Sequence, residues 1–189
     1  ILYGLTWPSG LLVSYEIKSK DLRCWGAVQN RGEWGDHPWE WDRICRTLGI
    51  DPDGYVYGST MDGLIWKYDR NALRRVSYIK GLDLSRLPFS QSAVETNKGD
   101  FQNNWRTIEW NPATNSFWGL HFECTTLFEF DPKDNYVRAV AELRPAAYQG
   151  MPRNPEVSQL GFMIGPKNTI FYLAHGPAVE LKGRKPVQS

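Results

Sequence analysis

The stretch Asp51-Pro-Asp-Gly-Tyr-Val-Tyr-Gly-Ser-Thr-Met-Asp-Gly-Leu-Ile-Trp-Lys-Tyr-Asp69 recurs in altered form near residues 1–17, 111–131 and 165–181. Each copy reads as a tight turn, a short strand, a second turn and a further strand, which closes on an aromatic-acid pair in the first three. A unit of this kind cannot bury its apolar positions alone, so neighbouring copies must share one continuous core. The repeat also superposes positions from different copies, and that superposition is the route to any shared site.

Aligning the copies on their turns places Asp51-Pro-Asp-Gly54, Asn111-Pro-Ala-Thr-Asn115 and Gly165-Pro-Lys-Asn168 in register. Proline fixes one φ, and Gly or Asn accepts the left-handed one, so each segment joins two antiparallel strands. An apolar strand precedes each turn: 47–50, 107–110 and 159–164. A second follows: 55–58, 116–119 and 169–172, with 1–4 in the first copy. A third strand spans 11–16, 64–69 and 127–131. Eleven, ten and eleven residues separate Gly4 from Tyr15, Gly58 from Tyr68 and Gly119 from Phe130. The acid that follows is placed to accept backbone N–H groups of the next turn. A fourth, more charged strand at 22–25, 74–79 and 136–141 has the character of an exposed edge.

Four antiparallel strands per unit, the first the most apolar, is the pattern of a β-propeller blade. Gly4 and Gly58 stand 54 residues apart, and Gly58 and Gly119 61 apart, because long insertions separate the units. A β-sandwich would not return the same turn and aromatic-acid pair in phase. The expected fold is therefore all-β: about three and a half four-stranded antiparallel blades in one region, 1–189. The blades fall near 1–28 (partial), 44–81, 105–143 and 157–189 (partial), with long insertions at 29–43 and 82–104. A ring typically needs ~4–8 blades. The reading is thus a partial propeller or a fragment of a larger ring, whose closure needs missing blades from the same or another chain.

Composition narrows the function classes. Net charge is +1 with both signs interspersed, which argues against nucleic acid and against a basic membrane-binding face. No apolar run approaches a membrane span. The sequence opens on Ile1 with no signal-peptide pattern. Cys24, Cys45 and Cys124 lack metal-type spacing and read as small buried side chains. The aromatic content is high, with 9 Trp, 9 Tyr and 8 Phe. Aromatics suit strands, and exposed ones suit ligand stacking.

In a blade, the turn between strands two and three shares one face with the connection to the next blade. The insertions 29–43 and 82–104, and a shorter one at 144–155, all decorate that face, usually the binding side of a repeat array. Two residues after the aromatic-glycine position come Thr6, Thr60, His121 and His175. Inner strands begin near Arg46 and Arg106, and His37 lies in the first insertion with Trp34, Trp39 and Trp41. The superposition brings these residues to one channel mouth. Taken singly, each has a plainer role: histidine as a turn residue, arginine as a cap on carbonyls, tryptophan as a pin for its loop. Together they offer a proton carrier, a planar fork for carboxylate or sulfate and flat apolar faces for sugar rings. That set would suit an anionic saccharide.

The segments 51–69, 111–131 and 1–16 resemble bacterial β-propellers whose repeats follow D-P-x-G-x-[VI]-Y-G, then [LI]-x-x-[YF]-[DE]. Within that group the chain is similar to propeller polysaccharide lyases of the ulvan and oligogalacturonate type. The resemblance implies β-elimination. Arg46 or Arg106 would neutralise a uronate carboxylate, His121 or His175 would take the neighbouring proton, and Tyr148 or His37 would protonate the leaving oxygen. It also implies a location outside the cytoplasm, extracellular or periplasmic. One alternative is a non-catalytic propeller scaffold for protein or glycan recognition. Another is a zinc or manganese ion held by His121, His175 and His37.

Overall fold

Aromatic and β-branched residues alternate between turns, and the chain answers with strands. The computed structural model describes residues 1–7, 9–28, 45–72, 75–87, 103–122, 126–143 and 159–174. Among them are four antiparallel sheets, each in sequence order. The first holds β1 (Leu2–Leu5), β2 (Leu11–Glu16) and β3 (Asp21–Ala27). The second holds β4 (Gly49–Ile50), β5 (Val56–Ser59), β6 (Leu64–Tyr68) and β7 (Val76–Asp83). The third holds β8 (Trp105–Asn111), β9 (Ser116–His121), β10 (Thr126–Asp131) and β11 (Tyr136–Glu142). The fourth holds β12 (Gln159–Ile164) and β13 (Ile170–Ala174). The fold is all-β, and each sheet corresponds to one repeat.

The turns form for the reasons their residues dictate. Gly54, Asn115, Lys167 and Asn168 all take positive φ at the hairpins that close β4–β5, β8–β9 and β12–β13. Asp69 accepts the Asn71 N–H at 2.8 Å, and Asp131 accepts those of Lys133 and Asp134 at 2.8 and 3.0 Å. The acid of the aromatic-acid pair is thus a turn cap.

Successive sheets pack face to face through aromatic side chains. Tyr3 of the first sheet meets Tyr68 of the second at 5.8 Å between ring centroids, and Trp25 meets the same ring at 5.4 Å. Tyr57, on the other face of the second sheet, contacts Phe117 and Phe130 of the third at 5.3 and 5.4 Å. Trp105 of β8 donates from Nε1 to the Thr47 carbonyl, and the Ile164 N–H reaches Glu109 Oε2. The array is propeller-like, and its described sheets do not close into a ring. Its outer faces carry exposed apolar side chains: Leu2, Tyr15 and Leu22 on the first sheet, Met163, Phe171 and Leu173 on the fourth.

Candidate functional site

The antiparallel topology gives the array two ends. At one lie the turns after β1, β5 and β9, with the chain leaving one sheet for the next. At the other lie the hairpins β4–β5, β8–β9 and β12–β13, together with β2–β3, β6–β7 and β10–β11.

The first end is where the sequence places the channel mouth. Thr6 and Thr60 sit there, but as turn residues: their Oγ1 atoms accept the Leu11 and Leu64 N–H groups at 3.0 and 3.2 Å. Thr60 is buried. His121 was expected to point outward; instead it is fully buried at the end of β9, paired with Trp105 of β8. Burial penalises the imidazolium, which pushes its pKa from 6.5 down to about 3. At neutral pH it is an uncharged ring out of reach of solvent. The Arg106 guanidinium lies 4.9 Å from the centre of the Phe122 ring. Arg46 is exposed and follows the buried Cys45. His37, Trp34, Trp39, Trp41, Tyr148 and His175 lie outside the described residues. Two of the three proposed metal ligands are among them, and no cluster of three His, Cys, Asp or Glu side chains occurs among the described residues.

The clefts described in the structure line the opposite end. One, of about 250 Å³, opens between the first and second sheets. Its floor is aromatic: Tyr3, Trp25 and Tyr68. Trp25 is anchored from below, its Nε1 donating to Ser14 Oγ at 2.9 Å. The Arg75 guanidinium stacks on the Trp25 ring at 4.4 Å. Burial, then the neighbouring Tyr3, raises the Tyr68 pKa, while Arg75 opposes that rise through its charge and a hydrogen bond. Tyr68 therefore stays a neutral phenol, and Arg75 contacts both its side chain and the Trp25 ring. Arg70 and Arg23 also line the cleft, facing Glu16 and Asp21. Arg23 is paired with Asp21 at 2.6 Å.

A second cleft, of about 440 Å³, lies between the second and third sheets, lined by Tyr55, Lys67, Trp110 and Lys133 among others. The Lys67 ammonium sits 3.3 Å above the centre of the Tyr55 ring. Asp51 accepts both the Tyr55 N–H and the Tyr57 hydroxyl, at 2.9 and 2.8 Å. Burial, aided by this bond to Asp51, drives the Tyr57 pKa far above that of a free tyrosine.

These residues carried a faint sequence signal. Arg70 and Arg75 bracket the turn after the repeated aromatic-acid pair, and Arg23 and Trp25 alternate on β3. The long insertions give the other end the stronger sequence signal.

No protein-family model matches the chain. No curated protein matches it either. Among solved structures, the chain is similar to an auxiliary nutrient binding protein from Bacteroides thetaiotaomicron, at a TM-score of 0.42 and 17% identity over 74% of this chain and 32% of that one. The chain thus spans about a third of that structure's length.

Proposed function

We propose that the chain is part of a non-catalytic, propeller-like binding module, and that the cleft between its first two sheets takes an anionic saccharide. The observation that carries this is Arg75, fixed by stacking on Trp25 at the edge of an aromatic-floored cleft. A guanidinium is a planar fork matched to a carboxylate or sulfate ester. One already held in place loses little side-chain freedom when the ligand arrives. The ring of Tyr3, which lines the cleft, supplies apolar surface for the C–H face of a sugar.

Binding is favoured over β-elimination on proton chemistry. A general base works best with a pKa near the operating pH, and His121, with its pKa near 3, is both too weak a base and buried. Among the described residues, no histidine lines the cleft. The ligand class would place the module outside the cytoplasm. Further sheets of the same repeat would cover the two outer apolar faces.

The test is calorimetry with short galacturonate oligomers. Arg75→Ala is expected to weaken binding roughly tenfold to a hundredfold, the loss of one charge-assisted contact of ~1.5–3 kcal/mol. Affinity that ignores Arg75 would sink the assignment. An unsaturated product accumulating in the same mixture would restore the lyase reading.

A further inference from the structure

We infer that the ligand is a linear oligomer laid across several sheets, not a single sugar; this rests on the anionic-saccharide reading above. Among the described residues the first cleft joins three others along the hairpin end, and each shares a wall with the next. A cleft of about 310 Å³ shares Tyr3 and Arg70 with the first and is closed on its far side by Asp53 and Tyr55. Those two residues also line the 440 Å³ cleft between the second and third sheets. Trp110 of that cleft in turn lines a fourth, of about 400 Å³, with Glu109, Ile164 and Lys167. The groove therefore crosses from the first sheet to the fourth, and an aromatic ring stands at every junction: Tyr3, Tyr55, then Trp110.

The cleft volumes favour a polymer. Pockets that enclose a whole small molecule run to ~300–1,000 Å³; the first cleft lies below that range and the other three in its lower half. Each suits one ring-sized group, and the series suits a chain of them. The cations are distributed in the same way. Arg70 and Arg75 serve the first cleft, Lys67 and Lys133 the 440 Å³ cleft, and Lys167 the 400 Å³ cleft.

Several wall carboxylates are engaged inside the protein: Asp21 by Arg23, Asp51 by Tyr55 and Tyr57, Glu109 by the Ile164 N–H. Glu16, Asp53 and Asp69 also line the groove. The arrangement thus favours a ligand whose charges recur along its length over one uniformly charged at every atom. A ligand that spans linked clefts gains from each without paying the full cost of association again.

The experiment compares galacturonate oligomers of two to six residues by calorimetry on the whole chain. The expected result is a dissociation constant that falls at least tenfold from the shortest to the longest. Lys167→Glu, an exposed change, should remove most of that gain and leave the dimer unaffected. Trp110→Ala should do the same; because Trp110 also packs on Phe117, Lys167→Glu is the arm that does not depend on folding. Arg75→Ala should weaken every length. Equal affinity at all lengths, with sensitivity to Arg75 kept, would overturn the extended groove and leave the first cleft standing. Insensitivity to Arg75 at every length would overturn the saccharide assignment itself, and this inference with it. Length-dependent binding of an oligo-aspartate peptide, with none of the saccharides bound, would also overturn it and reassign the groove to acidic chains of another class.

Discussion

His121 is a titratable ring with no water around it, and that alone gives it a measurable consequence. Its pKa is about 3 in the folded chain against 6.5 for an ordinary histidine. A group whose pKa is depressed by folding contributes fully above its unfolded value, and the contribution is lost as the pH falls toward the folded one. The unfolding free energy should therefore rise with pH between about 3 and 6.5. Other groups titrate in the same range, so the quantity to follow is the difference between wild type and His121→Gln. Urea unfolding should show wild type losing more stability than the variant as the pH drops through that window. Parallel curves would mean that the ring is solvated in the folded chain. The sequence placed His121 at the right position in its repeat, two residues beyond the aromatic-glycine pair, but not its surroundings. Its cross-strand partner is Trp105 of β8, and the packing that closes over a ring at a strand end leaves no record in a local pattern. Thr6 and Thr60 were legible in the same partial way: their place at a turn could be read, whereas their hydroxyls serve the backbone.

Across β5 and β6, Gly58 stands opposite Trp66, and across β9 and β10, Gly119 stands opposite Phe128. In each pair the large ring lies over the glycine of the neighbouring strand. A Cβ on Gly58 would come 2.0 Å from Trp66 Cζ2, and one on Gly119 would come 2.6 Å from Phe128 Cζ and 2.8 Å from the Thr107 carbonyl oxygen. Both rings are fully buried, so neither can move aside cheaply. Gly58→Ala and Gly119→Ala should each cost about 1–3 kcal/mol by overpacking. Gly4 is the internal control. Its partner is Val13, and an added Cβ would make ordinary contact at 3.7 Å. Gly4→Ala should leave the urea midpoint unchanged or raise it slightly, since alanine restricts the unfolded chain. Equal losses at all three positions would refute the packing account. Elements were the most legible level of this fold. β2 runs from Leu11 to Glu16 and β12 from Gln159 to Ile164, where the alternation puts them. β4 is shorter than its apolar pattern predicts, because the Thr47 carbonyl turns to the Trp105 indole. β7 runs on to Asp83 through Gly81, whose positive φ the sequence did not advertise.

Among the described residues, sheets packed in series leave two faces without a neighbouring sheet, and the repeat itself shows what those faces lack. Counted from the repeated glycine, Leu2 and Tyr15 of the first sheet occupy the places of Phe117 and Phe130 in the third. Phe117 and Phe130 are wholly buried beneath Tyr57 of the preceding sheet. Leu2 is 57% exposed and Tyr15 36%. The fourth sheet leaves Phe171 and Leu173 uncovered in the same manner. That the units share a core was legible from their repetition. That clefts line the hairpin end among the described residues was not, because superposing copies fixes equivalence between positions and says nothing about how far neighbouring sheets splay apart. The uncovered faces have a direct consequence in solution. Apolar area of this kind is worth about 25 cal/mol per Å² when removed from water, and a second copy offers the nearest cover. Sedimentation of the chain should show association that grows with concentration. Tyr15→Lys together with Leu22→Lys should suppress it. Both side chains lie on the uncovered face, so the unfolding midpoint at low concentration should stay within a few degrees of wild type. A chain that remains monomeric at every concentration and binds no hydrophobic dye would mean that these faces are satisfied as they stand, and the case for further sheets packed against them would be lost.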